Sequence, residues 1–316
     1  AAGHSYGEFV AHHAAGAYGL DTLMQLSAAR GRFIVDAAKA DGAELGTMAA
    51  VQAPRAEVDR LLADVADVVV ANHNAPLQTI ISGTRAGVEA AMAKMTAAGF
   101  DVTPIPVAAA FHSKLVAPAQ SALAEMIEAT DWQPGQIPVY SNATGRPHAE
   151  DVATVKRSMA EHLVQSVEFV AEVEAMYADG ARTFIEVGPK SVLTKLTAKI
   201  LAGQPHKAIA LDDGSGLGGF LNGIAQMLCA GLDLDLSPLF GRDCRVGDPA
   251  QLGALQRIVS VPKHAWMING SGVRRLSDPV RQIGVTLEQA QTLSLTMAPV
   301  AAAAALSVAP AAATLS

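Results

Sequence analysis

Ser5 stands between two glycines in Gly3-His4-Ser5-Tyr6-Gly7, with Glu8 next in the chain. The spacing is G-x-S-x-G, the pattern of a nucleophile elbow: a serine on a sharp strand-to-helix turn, with glycines on both sides because a Cβ there would clash. Such a turn lifts Oγ to the N-terminus of a helix, where backbone N–H groups stabilise an oxyanion. A serine in this position needs a base. Among nine histidines, His112 is the best placed, because it follows the strand-like run Pro106–Ala110 at a strand-to-helix corner. A base delivered from the end of a different strand is the usual arrangement. Arg30, in Ala28-Ala29-Arg30-Gly31-Arg32, sits within an apolar helix face beside a glycine. Its guanidinium fork fits a carboxylate bidentately. Read alone, His112 also fits a structural histidine, and Arg30 an arginine folded over its own helix.

The elements that must position these residues alternate in type. Phe9–Ala17 and Leu20–Ala38 read as helices, the second with Leu23, Leu26, Phe33 and Ile34 on its apolar side. After a break at Gly42–Gly46, a segment reads strand (Thr47–Val51), helix (Arg55–Ala63) and strand (Val68–Ala71). It continues with a loop (Asn72–Pro76), strand (Thr79–Ser82), helix (Arg85–Ala98) and strand (Val102–Val107). That βαββαβ order is ferredoxin-like and interrupts a larger α/β domain. The larger domain resumes with a helix through Ala129, a strand at Ile137–Ser141, and helices at Val152–Val164 and Val167–Ala178. A strand at Thr183–Val187, a helix at Val192–Leu201, a strand at Ala208–Leu211 and a helix at Gly219–Ala230 follow. Beyond Asp233 the pattern thins into Pro-containing connections.

Half of the 316 residues are hydrophobic, enough for a sizeable core, and the net charge of −7 with 23 basic residues contains no Lys/Arg block. That composition argues against nucleic acid or an anionic membrane as partner. Cys229 and Cys244 form no CxxC or metal spacing, which suits a reducing, cytoplasmic setting. Met297–Leu315 is rich in alanine and holds Pro299 and Pro310. It reads as a linker and not as a membrane span. Gly214-Ser215-Gly216-Leu217-Gly218-Gly219 matches a dinucleotide fingerprint, yet Asp212 and Asp213 would repel a pyrophosphate, and no second βαβ half follows.

Five elements occur in a fixed order: Gly3–Glu8, then Arg30, then Ala110-Phe111-His112-Ser113, Asn142-Ala143-Thr144-Gly145, and Phe184-Ile185-Glu186-Val187-Gly188-Pro189. Together, over Gly3–Leu211, they resemble the malonyl/acyl-CoA:acyl carrier protein transacylases. The likeness is greatest to acyltransferase domains of polyketide and polyunsaturated fatty acid synthases. The segments Leu234–Phe240 and Pro262–Trp266 resemble the linker that follows such domains. The resemblance implies an α/β-hydrolase-like core, residues 1–46 and 107–211, with a ferredoxin-like subdomain at 47–106. Residues 212–275 would form the linker region and 276–316 an Ala/Pro-rich tail.

The resemblance further implies ping-pong transfer of a malonyl group from CoA to the phosphopantetheine thiol of an acyl carrier protein, with no bound cofactor and no metal. In it Ser5 matches the acylated nucleophile, His112 the base, the Tyr6 N–H one oxyanion donor, and Arg30 the clamp on the malonyl carboxylate. Phe111, before the histidine in Ala109-Ala110-Phe111-His112, matches malonyl over methylmalonyl selection, although the histidine that opens the family's four-residue pattern is missing. His162 falls where a glutamine orients the histidine through its main-chain carbonyl. The family's second oxyanion donor, a glutamine upstream, has no counterpart in this chain, and only Ala1-Ala2 precede the elbow. Residues 1–316 alone are therefore expected to be poorly active and marginally folded. A serine hydrolase or thioesterase, which has no need of Arg30, and a non-catalytic fragment of a synthase share many of these residues.

Overall fold

A computed structural model describes residues 1–40, 45–239, 266–269 and 272–275. Residues 1–234 form one compact unit, and 235–316 a second. The first unit begins at the elbow, where Ser5 turns with φ +50 into α1 (Gly7–Ala14). A Cβ on Gly3 would lie 1.9 Å from the Gly7 carbonyl oxygen, so this glycine is required. The same expectation fails at Gly7, where a Cβ would meet nothing within 4 Å. Helix α2 (Leu20–Ala40) packs Leu23 and Leu26 with Phe9 of α1 against α5 (Gln120–Ala129) and α6 (Val152–Glu161), through Leu123, Ile127 and Met159. Their heptad-like spacing on each helix is what makes one continuous apolar contact.

Between them lies a four-stranded sheet: β1 (Thr47–Val51), β2 (Val68–Ala75), β3 (Gln78–Gly83) and β4 (Val102–Ile105), with α3 (Arg55–Leu62) and α4 (Arg85–Ala97). The strand order is β2-β3-β1-β4 and all pairs are antiparallel, the ferredoxin-like topology. Val51, Val58, Ile81, Val88 and Met95 fill the space between sheet and helices. Two expectations change here. Asn72–Ala75 is not loop: β2 runs through it, across register shifts at Val70/Asn72 and His73/Ala75. The extension is held by the larger domain, since His73 N–H donates to the Val167 carbonyl and Val167 N–H to that of Ala71, both at 2.8 Å. Arg55 adds an ion pair to Glu168 at 3.0 Å. Pro106–Ala110 is irregular, β4 having ended at Ile105; Pro106 has no N–H to carry a ladder onward.

The second half of the unit contains α7 (Phe169–Ala178), β5 (Thr183–Glu186), α8 (Val192–Ile200), β6 (Lys207–Ala210) and α9 (Leu217–Cys229). Strands β5 and β6 are parallel neighbours, with α8 as the crossover between them. Val167, Phe169, Val173, Leu196 and Leu201 pack as one cluster at this end. Ile137–Ser141, expected as a strand, forms none; Tyr140 makes only an isolated bridge to Pro147. It does run beside Ala1, which donates to the Pro138 carbonyl and accepts from Tyr140 N–H.

In the second unit, β7 (Trp266–Asn269) and β8 (Gly272–Arg275) pair antiparallel, Trp266 opposite Arg275. This hairpin is not among the expected elements, although Gly270-Ser271 between two such runs is a turn signal. The tail 276–316, Cys244 and residues 240–265 of the proposed linker lie outside the described residues. No helix among the described residues is long and apolar enough to cross a membrane.

Candidate active site

Ser5 Oγ lies 2.7 Å from His112 Nε2, although the two residues are 107 apart in sequence. The left-handed backbone that aims Ser5 recurs at His112, φ +58. Non-glycine residues held there are strained, and such strain collects at functional sites. His112 is buried, and Ser113 caps the short 3-10 helix after it by accepting the Leu115 N–H. The ring's other nitrogen, Nδ1, is 2.7 Å from the Gln165 carbonyl oxygen. A carbonyl only accepts, so the proton sits on Nδ1, and Nε2 presents its lone pair to the serine hydroxyl. Burial first, then the neighbouring His162, Arg30 and His4, hold the His112 pKa down at about 3 despite that bond. The imidazole is thus neutral at neutral pH, with the Nε2 lone pair free to take the serine proton.

His162 does not do what was expected of it. The orienting carbonyl belongs to Gln165, in the loop that brings the chain back to β2. His162 meets His112 edge-on, with ring centroids 5.7 Å apart, and its Nε2 lies 3.3 Å from Glu8 Oε2. It stands between the base and a buried carboxylate.

Asn142 is a hub, although its motif carries no assigned role in the sequence. Its side-chain oxygen accepts the Ser5 N–H at 2.6 Å, and its Nδ2 donates to the Gly3 carbonyl and to Glu172. Its own N–H donates to Glu8 Oε2 at 3.0 Å. One amide therefore braces both arms of the elbow. Burial, with the Glu8 charge, raises the Glu172 carboxyl well above its ordinary range. Glu8 goes the other way: burial opposes its charge, but hydrogen bonds and charge from His148 and His162 outweigh it and hold the pKa at about 2.

The Tyr6 N–H has no acceptor among the described residues, which leaves it available to an oxyanion. The Tyr6 hydroxyl bonds Ser27 Oγ on α2, one turn before Arg30. Arg30 lies over the Phe111 ring at 5.7 Å. Its Nε is buried without a hydrogen bond, no acidic side chain pairs with it among the described residues, and desolvation lowers its pKa. A cation sunk this far without an anion is costly; a bound carboxylate would complete it. His4, beside the nucleophile, shares a 2.7 Å hydrogen bond with Asn74 of β2, so the elbow touches the ferredoxin-like sheet.

Two cavities, of about 490 and 240 Å³, lie away from this pair: the first is lined by His12, Trp132 and His148, the second by Ala1, Phe169 and Leu193. In the Gly214–Gly219 loop the Asp212 and Asp213 carboxylates accept the Gly214 and Ser215 N–H groups that a phosphate would need.

The profile of the acyl transferase domain family matches residues 1–211. A polyunsaturated fatty acid synthase polypeptide of Thraustochytrium sp. is 33% identical over 240 residues, covering 74% of this chain and 8% of that protein. The malonyl CoA-acyl carrier protein transacylase of Bacillus subtilis is 36% identical over 219 residues, 67% of each. Among solved structures, the acyltransferase domain from the second module of the salinomycin polyketide synthase superposes with a TM-score of 0.69 at 31% identity. That match covers 83% of this chain and 58% of the domain. The chain thus spans only part of these relatives, and it shares their fold, an α/β-hydrolase-like core with a ferredoxin-like subdomain.

Proposed function

This chain belongs to the acyl transferase domain family, and from that premise we propose that it transfers a malonyl group from CoA to the phosphopantetheine thiol of an acyl carrier protein. The observation that carries the reading is the Ser5–His112 contact of 2.7 Å, with the base's tautomer set by the Gln165 carbonyl. As Ser5 Oγ attacks the thioester carbonyl, its proton passes to His112 Nε2. The oxyanion takes the Tyr6 N–H, the C–S bond breaks, and the CoA sulfur leaves with the proton from His112. The carrier thiol then gives its proton to His112, attacks the acyl-serine, and Ser5 recovers its hydrogen. We read residues 1–46 and 107–211 as the transferring core, 47–106 as the subdomain closing on it, 212–275 as a linker and 276–316 as a tail within a synthase chain. A reaction between thioesters and free thiols belongs in a reducing compartment, and we assign the protein to the cytoplasm.

Arg30 supplies the preference for a dicarboxylic acyl group. Hydrolysis of simple esters gives no reason to bury an unpaired guanidinium beside the base. Arg30→Ala is expected to cut malonyl transfer to carrier protein on the order of 10–100-fold, because a charge-assisted hydrogen bond contributes roughly 1.5–3 kcal/mol. Acetyl transfer should fall far less. Transfer followed by mass spectrometry of the carrier arm decides it: equal losses with both acyl groups remove Arg30 from this role, and CoA-ester hydrolysis without transfer favours a hydrolase.

Phe111 stacks on Arg30 and fills space that a C2 methyl would occupy. Phe111→Ser should move the malonyl/methylmalonyl ratio in a competition assay by roughly 10-fold or more toward methylmalonyl, one methyl in a pocket being worth about 1–3 kcal/mol. An unchanged ratio would put selectivity elsewhere.

A further inference from the structure

Behind the elbow, on the side away from His112, three groups converge that the transfer reaction does not use. Glu8 lies on the first turn of α1, His12 one turn later, and His148 in the segment after the Tyr140–Pro147 bridge, 140 residues from Glu8. One ligand atom from each lies within 4.8 Å of the others. Glu8 is 1% exposed and His12 3%, and His148 is half-buried. The groups are not mutually satisfied. His148 Nε2 is 2.5 Å from Glu8 Oε1, but neither ring nitrogen of His12 makes a hydrogen bond among the described residues, and its Nε2 is sealed from solvent. A buried ring nitrogen without a partner, set against a buried carboxylate and a second imidazole, calls for a missing ion or water.

We infer that Glu8, His12 and His148 form a binding site for a zinc-type divalent cation. Two imidazoles and one carboxylate are a standard three-ligand set for this class of ion, with a fourth position left for water. The cavity of about 490 Å³ lined by His12 and His148 supplies that water and a route in. Ligand atoms on a tetrahedral ion with bonds near 2.0–2.1 Å sit about 3.4 Å apart, so the cluster must close by little more than 1 Å. Binding needs the other neutral tautomer of His148: its hydrogen moves from Nε2 to Nδ1 through solvent, and the ion takes its place between ring and carboxylate. Magnesium, which demands oxygen ligands, does not suit the set. The ion would staple α1, the helix that carries the elbow, to the Pro147–His148 segment. Glu8 Oε2 stays on the Asn142 N–H throughout, so the staple also steadies the amide that braces Ser5.

The test uses the purified protein, dialysed against zinc chloride and then analysed for metal, beside His12→Phe and His148→Gln. Phenylalanine keeps the ring that His12 packs on Trp132 at 5.4 Å, and glutamine keeps a hydrogen bond to Glu8. Neither residue touches Ser5 or His112. One zinc per chain is expected, with affinity lower on the order of 100-fold or more in each variant, since loss of even a supporting partner costs 10–100-fold. Cobalt in place of zinc should give the visible bands of a tetrahedral site in the parent alone. Saturating zinc should raise the parent's Tm by about 5 °C and leave the variants' unchanged. Zinc bound equally well by both variants would place it elsewhere. No zinc, or magnesium bound as tightly, in a cooperatively melting parent would overturn the assignment and leave the cluster holding a proton and water.

Discussion

Ser5→Ala should form no acyl-enzyme at all. Intact-mass analysis of the parent after malonyl-CoA should show one added malonyl group, and the variant none. Transfer to carrier protein should fall on the order of 10⁴-fold or more, to what binding and the remaining oxyanion donor sustain. The variant is a clean test of the chemistry. Alanine keeps the Cβ already tolerated at φ +50 and keeps the N–H that Asn142 accepts, so the elbow is retained. What is lost is Oγ, and with it the hydrogen bond to His112 Nε2. A malonyl adduct that survives the substitution would mean that another residue carries the acyl group.

His112→Ala should slow acylation of Ser5 by about 10²–10⁴-fold, the usual worth of a positioned general base. The parent's pH dependence tests the same residue without removing it. With its pKa held at about 3, His112 is in the basic form across the whole neutral and mildly acid range. The kcat/KM for malonyl-CoA should therefore lack an inflection at the ordinary imidazole value of about 6.5. A drop with that midpoint would show a base titrating as if exposed. Stability has the opposite sense. Between about 6.5 and about 3 the unfolded chain protonates this imidazole and the folded chain does not. Folding free energy contributed by the buried neutral ring is full above pH 6.5 and declines as pH falls through that window.

Where side chains carry the chemistry, the sequence was informative. The glycine-flanked Ser5 has a shape that residue types alone announce, whereas His112 and Arg30, which read alone also fit structural roles, stood out only through the ordered set of motifs. The ferredoxin-like order came through because short apolar runs and helical segments alternate along it, and α4 is capped locally by Thr84, which accepts the Gly87 N–H. Main-chain groups leave no such trace. The carbonyl that fixes the His112 tautomer belongs to Gln165, yet any residue there would offer the same oxygen. The resemblance therefore places the orienting carbonyl at His162 by alignment alone, three residues from the one that bonds the base, while the His162 side chain instead lies against Glu8. The Glu8, His12 and His148 cluster was invisible for a different reason: Glu8 and His12 share one helix face, but His148 joins them only through tertiary packing, 140 residues from Glu8. Strand limits failed where a neighbour decides them. Asn72–Ala75 is polar and turn-like by composition, and becomes strand because Val167 pairs with it. Ile137–Ser141 is apolar enough for a strand, but its main-chain partners are only Ala1 on one side and the Arg146–His148 segment on the other, too few for a ladder.

The brace on the elbow also has a meaning in time. Ser5 leaves the ribosome well before the amide that holds it, since Asn142 is 137 residues further on. At 5–20 residues per second, roughly 7–30 s of synthesis separate the two. For most of that interval the nascent segment lacks its base, and throughout it lacks the contact that stabilises its left-handed turn; an unactivated serine hydroxyl is inert toward thioesters. Reactivity thus comes late in the making of this chain. On the proposed mechanism, the nucleophile is armed only once the polypeptide has been made past His112, Asn142 and Gln165, so a partly made chain would be kept from capturing acyl groups it has no means to pass on.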